Sequence, residues 1–386
     1  MLKPLACLAL FFTLFGGLYA QSVVRNLIHP IVAKKSSDVL EITQLKCYTD
    51  KTVIDLELTC LDANGMFVYP ADSLGAFCLI QKVKVLPLRY TQKVPSSGII
   101  ACQEGEVVCQ FSLIFDALEQ DVSTGLILQA QTEDQVTTFN NILLLRFEEA
   151  EKLAKSGDTL CQYTLAHYFQ RESDYPKSEF FFELYLNSLN KLYGSKDVRY
   201  LSVTQEIIKS YLYRGEIEKA ENLCLSLMQG LSDQHKSTPE FHNLLGDIFQ
   251  AKGAHHEAIE QYIKYLRLLE RTDVVKSSLY MTITNLIQYS YGQLANQDPL
   301  AAKPLWVGVA LNRKQLVQNI AMMKIFAVGA DEMIISQNSD FVDSDWQPYA
   351  VKEVLPFAPG VKRLFLRFRS SGALSEPIEI LLTSTP

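Results

Sequence analysis

The chain has 386 residues, enough for two or three domains. With 48% hydrophobic and 20% charged residues it is a folded protein, and a disordered one is excluded. A net charge of −7, with no long run of one sign, argues against nucleic acid as a partner.

Residues 1–20 are expected to be a secretory signal peptide. Lys3 supplies the charged start, residues 5–18 are apolar apart from Thr13 and two glycines, and Ala20 offers a small residue before Gln21. The run is too short for a membrane span, and no later stretch is long and apolar enough to form one. Seven cysteines follow the segment: Cys47, Cys60, Cys78, Cys102, Cys109, Cys161 and Cys224. None forms a C-x-x-C pair. Cys102 and Cys109 flank the turn Gln103-Glu104-Gly105 and are the candidate disulfide, while buried apolar thiols are an equal reading for the set.

Residues 24–146 alternate with period two. Residues 39–45, 53–58, 107–115, 125–131 and 137–145 read as strands and 79–88 as a strand pair interrupted by Pro87, separated by turns such as Asp62-Ala63-Asn64-Gly65 and Pro95-Ser96-Ser97-Gly98. Six or more short strands without helices predict an antiparallel sandwich. The period lengthens at Arg146. Ser156-Gly157-Asp158 stops a first helix, and Asp158 is placed to cap the next. Helical sequence then runs to about residue 295, ending before Asp298-Pro299. Beyond Pro304 the chain returns to strands at residues 306–311, 322–327, 332–336, 363–369 and 378–382, a spacing that suits a second small sandwich.

Within the helical part, residues 239–269 carry Leu245-Gly246, Phe249, Gly253, Ala258 and Tyr262. This pattern resembles a tetratricopeptide repeat (TPR), departing from it at Tyr265 and Glu270. Anchored on the small residue of each second helix, three repeats fall at Ser178, Ala220 and Ala258. The spacings are 42 (220 − 178) and 38 (258 − 220), against roughly 34 in the standard repeat. Leu192-Tyr193-Gly194 resembles the longer repeats of the kinesin light chain type, and Ala154-Lys155-Ser156-Gly157-Asp158 before Gln162-Tyr163 is similar to Sel-type repeats. Residues 275–294 are expected to cap the array.

Two further resemblances flank it. Leu27-Ile28-His29-Pro30, Ser37-Asp38-Val39-Leu40-Glu41-Ile42 and Thr49-Asp50-Lys51-Thr52-Val53 are similar to an N-terminal β domain of exported proteins of certain Gram-negative bacteria. Gly329-Ala330-Asp331-Glu332, Trp346-Gln347-Pro348-Tyr349 and Leu364-Phe365-Leu366-Arg367-Phe368-Arg369 resemble a bacterial Ig-like module. The expected architecture is therefore multidomain: signal peptide 1–20, an N-terminal antiparallel β-sandwich 21–146, a central TPR-like α-solenoid 147–298, and a C-terminal Ig-like β-sandwich 304–386.

Candidate chemistry is sparse. His255 and His256 are adjacent on a helix and point to different faces, unlike an i, i+4 metal pair. Asp340, Asp343 and Asp345 lack the glycine of a calcium loop and read as a polar turn. No nucleophile elbow, phosphate loop or H-E-x-x-H is present, so the reading is of a non-enzymatic protein without cofactor or metal. Trp346 and Tyr349 could make a sugar-binding platform, but core positions suit them better. The TPR resemblance implies a concave face of first helices. That face would hold Tyr163, His167, Gln170 and Arg171, then Gln205, Lys209 and Tyr213, then Asn243, Asp247 and Gln250. Mixed polar residues of this kind suit a peptide or protein strand. The expected protein is an exported scaffold, periplasmic or on the cell surface and associated with the envelope. The alternative is a surface adhesin or glycan-binding protein acting through a β domain.

Overall fold

The computed structural model describes residues 23–382 except 60–65, 72, 74, 96–97, 101–107, 120–123, 132–135, 271–276, 298–302, 312–319, 343, 357–362 and 371–372. The expected signal peptide, Cys60, Cys102 and Asp343 lie outside the described residues. Two compact units divide between Leu192 and Tyr193, a point inside the expected helical domain.

The first unit opens with β1 (Arg25–Ile28), β2 (Val32–Lys35), β3 (Leu40–Cys47) and β4 (Lys51–Thr59), continues through β5 (Met66–Phe67), β6 (Cys78–Gln81), β7 (Lys84–Gln92) and β8 (Ile99–Ile100), and ends with β9 (Val108–Asp116), β10 (Leu126–Gln131) and β11 (Val136–Ile142). Nine of these form one antiparallel sheet in the order β1-β3-β4-β9-β7-β6-β10-β11-β2. Burial alternates strictly along β4, so Ile54, Leu56 and Leu58 enter the core while Lys51, Val53 and Asp55 face away from it. The two ends of the sheet, β1 and β2, are separated in sequence only by His29, Pro30 and Ile31. Four residue steps reach at most about 14 Å. The sheet therefore has to curl until its ends approach, and its apolar face becomes a single core running from Leu40 and Ile54 through Phe111 and Leu88 to Leu126 and Phe139. His29 makes the crossing with φ of 45°.

Three helices follow: α1 (Phe147–Ser156), α2 (Thr159–Arg171) and α3 (Tyr175–Tyr193). Gly157 ends α1 at φ 108°, and the Asp158 carboxylate caps α2 by accepting from the Cys161 N–H at 2.8 Å. Ser178 is buried where α2 and α3 meet and donates to the Ala166 carbonyl at 2.9 Å.

The second unit holds α4 (Val198–Tyr213), α5 (Ile217–Met228), α6 (Thr238–Ala251), α7 (His255–Glu270) and α8 (Ser277–Gln297). Asp197 caps α4, and its bonds to the Arg199 side chain and N–H hold its carboxyl down at about 2. The strands β12 (Leu305–Leu311), β13 (Ile320–Val328) and β16 (Lys352–Pro356) form one sheet. A second contains β14 (Glu332–Ser336), β15 (Gln347–Pro348), β17 (Arg363–Ser370), β18 (Ala373–Leu374) and β19 (Ile378–Leu381). Strand β13 is buried on both faces: Phe326 and Val328 pack with Tyr280, Ile283 and Ile287 of α8, while Met323, Ile325 and Ala327 pack with Met333, Leu366 and Phe368 of the second sheet. That two-sided burial is why its sequence lacks alternation.

The expected series of β-sandwich, TPR-like α-solenoid and Ig-like β-sandwich does not describe this fold. The N-terminal strands are one curled sheet because β7 bridges what would be two: residues 84–87 pair with β6 and residues 88–92 with β9, around a register shift between Leu88 and Tyr90. The eight helices of the described residues make no clear solenoid. In a solenoid each repeat touches only its neighbours. Here Arg171 of α2 donates to the Val32 carbonyl of β2 at 2.9 Å, and α8 covers the apolar face of α7 but is itself covered by β13. The C-terminal strands do not close on themselves as a free sandwich, because their inner sheet shares a core with α7 and α8.

Candidate functional site

Three helix hairpins share one turn geometry. The N–H groups of Ser173, Gly215 and Gly253 donate to the carbonyls of Gln170, Leu212 and Gln250, and the next residues, Asp174, Glu216 and Ala254, donate to Phe169, Tyr211 and Phe249. The turns are spaced 42 (215 − 173) and 38 (253 − 215), the spacing of the small residues Ser178, Ala220 and Ala258, all buried at helix crossings.

The ten residues expected on the concave face divide between the units. Tyr163, His167, Gln170 and Arg171 lie in the first, where contacts inside that unit engage three of them. The Lys34 ammonium sits 5.4 Å from the Tyr163 ring centre, His167 is buried edge-on against Tyr163 and Phe182, and Arg171 reaches the β2 backbone. Gln170 is half-buried on the same helix.

The other six lie in the second unit on α4 and α6. Gln205, Asn243, Asp247 and Gln250 are half-buried, Lys209 is exposed, and Tyr213 is 89% exposed. The centre of this face is organised by Tyr262 of α7. Its ring crosses α6 at Gly246, where a Cβ would stand 2.4 Å from a ring carbon. Only glycine lets the phenol pass. The Tyr262 hydroxyl then donates to Asp247 at 2.8 Å and lies 3.3 Å from Gln250 Oε1, which also receives the Ser290 hydroxyl of α8 at 3.4 Å. Burial raises the Asp247 carboxyl, against the Tyr262 hydrogen bond and the charge of Lys209, which lower it. Burial and the neighbouring carboxylate push the Tyr262 phenol well up, so it stays a donor. Asn243 Oδ1 is buried with no hydrogen-bond partner among the described residues. Tyr265, where a TPR has a small residue, is buried with its hydroxyl 3.3 Å from Glu240.

Two contributors were not legible as part of this face. Tyr262 reads as a packing residue in the repeat pattern, and Ser290 lies in α8, outside that pattern. The remaining candidates resolve differently. Tyr349 and Trp346 form no platform: the Tyr349 hydroxyl is tied to the Ile325 carbonyl and Ala327 N–H of β13, and the Arg369 guanidinium covers the Trp346 ring at 4.4 Å. No group of three or more His, Cys, Asp or Glu among the described residues could hold a metal. Cys47, Cys161 and Cys224 are buried, and burial pushes their thiols up to about 11, 12 and 12. No helix of the described residues is long and apolar enough to cross a membrane.

Comparison with protein-family models gives no match, and comparison with curated proteins gives none. Among solved structures the chain is similar to a kinesin light chain protein of Podosopora anserina with nearly identical TPR-like repeats. That likeness has 16% identity and a TM-score of 0.31, over 39% of this chain and 79% of the other. It is also similar to BtubC (BKLC) from P. vanneervenii, at 17% identity and a TM-score of 0.31, over 39% of this chain and 67% of that one.

Proposed function

We propose that the protein is a non-enzymatic scaffold that captures an extended protein segment on the polar face of α4 and α6. The observation that carries this reading is the Asn243 carboxamide, whose buried oxygen lacks a partner among the described residues. A buried acceptor left unmade costs roughly 1–3 kcal/mol, so a ligand that draws the carboxamide to the surface and supplies an N–H recovers that cost. An extended peptide supplies an N–H and a C=O from its backbone, and a side-chain amide matches both. Lys209 adds a charge at the rim, and exposed Tyr213 an aromatic surface. Asp247 and Gln250 are held in place by the Tyr262 hydroxyl.

We also propose that the protein works outside the cytoplasm, in the periplasm or on the surface of a Gram-negative cell in association with the envelope. The apolar, singly charged segment at residues 1–20 supports this. One experiment addresses both parts. A photo-crosslinking residue replaces Tyr213 in the native cell, and adducts are recovered from the envelope fraction. The expected result is a discrete protein adduct on a chain that begins at Gln21, reduced about tenfold when Asn243→Ala and Lys209→Ala are combined, as the loss of one or two hydrogen bonds predicts. An adduct yield indifferent to those substitutions overturns the binding face. A chain that retains Met1 in the soluble cell fraction overturns export.

A further inference from the structure

The polar face of the N-terminal sheet is hollowed into a cavity of about 590 Å³, a size suited to a small molecule. Its floor is a cross-strand row. Gln44 pairs with Asp55, Asp55 with Ser112, and Ser112 with Gln92, across β3, β4, β9 and β7. The Asp55 carboxylate is already committed, meeting the Lys46 ammonium at 2.8 Å and the Ser112 hydroxyl at 2.7 Å. Lys51 and Lys93 complete the charges of the wall, with His29 as a further donor. Three lysines less one aspartate give +2, on a chain whose net charge is −7. A local field of that sign draws an anion from solution. Lys51 is held in place over the Tyr48 ring at 5.2 Å.

Backbone strain marks the same place. His29 and Lys93 both line the cavity and both adopt left-handed φ, 45° and 60°. A left-handed conformation is unfavourable for a non-glycine residue, and such strain gathers at binding sites.

The donor set narrows the ligand. No arginine is among the lining residues, and a strand face offers neither a helix N-terminus nor a nest of N–H groups, the usual means of holding phosphate. Separate lysines suit a carboxylate. Gln44, Gln110, Thr43 and Ser112 already donate to Asn26, Glu57, the Asp55 carbonyl and the Asp55 carboxylate, which leaves the Gln92 amide, the second N–H of each other amide and the hydroxyl lone pairs for sugar hydroxyls. We infer that this cavity binds an acidic sugar, its carboxylate on a lysine of the wall and its ring hydroxyls on the amide row. The site is separate from the α4–α6 face and goes beyond the scaffold reading.

The test is ligand-observed NMR titration of the full chain with galacturonate, galactose and inorganic phosphate. The expected result is saturable galacturonate binding, with galactose at least about tenfold weaker and phosphate no competitor. Replacing both lysines (Lys51→Gln with Lys93→Gln) is expected to weaken galacturonate at least about tenfold, as loss of charge-assisted hydrogen bonds does, with an unchanged melting temperature. Lys93→Gln alone, at an exposed position, serves if the double variant melts early. Absence of galacturonate binding, equal competition by phosphate, or unchanged affinity in the lysine variants overturns the proposal. Adducts at position 213 are expected to be the same in these variants, which separates failure here from failure of the scaffold reading.

Discussion

Ser173 occupies the left-handed position that glycine holds in the two later hairpins. Its φ is 59°, against 74° at Gly215 and 75° at Gly253, with the same pair of backbone hydrogen bonds closing each turn. A side chain there crowds its own carbonyl, at a cost of roughly 1–2 kcal/mol. Ser173→Gly is therefore expected to stabilise the protein by about 0.5–1 kcal/mol, after the extra chain entropy of glycine in the unfolded state is offset. A urea denaturation midpoint that moves up checks it. The same substitution explains why the first hairpin is harder to see in the sequence than the third. Gly253 announces its turn, whereas Arg171-Glu172-Ser173-Asp174 gives a reader no left-handed signal, and only the buried Ser178 five residues later betrays the repeat.

Between elements, one device recurs: a tyrosine laid across a glycine. Tyr262 crosses Gly246 on α6, Tyr280 of α8 lies on Gly308 of β12, and Tyr291 of α8 lies on Gly329 after β13. A Cβ at Gly308 would stand 2.2 Å from the Tyr280 ring, which is buried and stacked on Phe326 at 5.1 Å with no room to retreat. Gly308→Ala is expected to destabilise by about 1–3 kcal/mol through overpacking, read as a lower midpoint in urea. The first of these pairs was legible because Gly246 and Tyr262 sit sixteen residues apart (262 − 246) inside one local pattern. The other two were not. Their partners belong to a helix and to strands that periodicity assigns to separate domains, and period alone says nothing about which helix face meets which sheet. The curled sheet was hidden for a similar reason. Strands β3, β4, β6, β7, β9, β10 and β11 could be read from their alternation, but β1 and β2, the ends of the sheet, lay outside the expected strands, and continuity rests on β7 pairing with β6 through one half and β9 through the other. The polar face was half legible: the helical spacing placed Asn243, Asp247 and Gln250 on one side of α6, while the phenol that orders them comes from α7.

On the scale of the whole molecule, each of the two units packs helices against its own sheet system. The first hairpin leans on β2 and belongs to the first unit. The last helix, α8, buries Tyr280, Ile283 and Ile287 against β12 and β13. Each such side chain is worth roughly 1.5–3 kcal/mol when removed from water. A fragment of residues 193–297 is accordingly expected to lose cooperative unfolding, while residues 193–386 keep it; circular dichroism melts of the two decide the point, and a sharp transition in the shorter fragment contradicts the shared layer. The curled sheet has a consequence in time as well as in space. Strand β2 is made early in the chain, yet its partner is β11: Val32 sits opposite Ile142, 110 residues later (142 − 32). Loop closure on that scale must precede the contacts that reward it, so high contact order places folding on the order of milliseconds to seconds. Until residue 142 has been synthesised, β2 has no strand to pair with. The chain therefore completes its first sheet by returning to its own beginning, and the seam is the last part of that sheet to close.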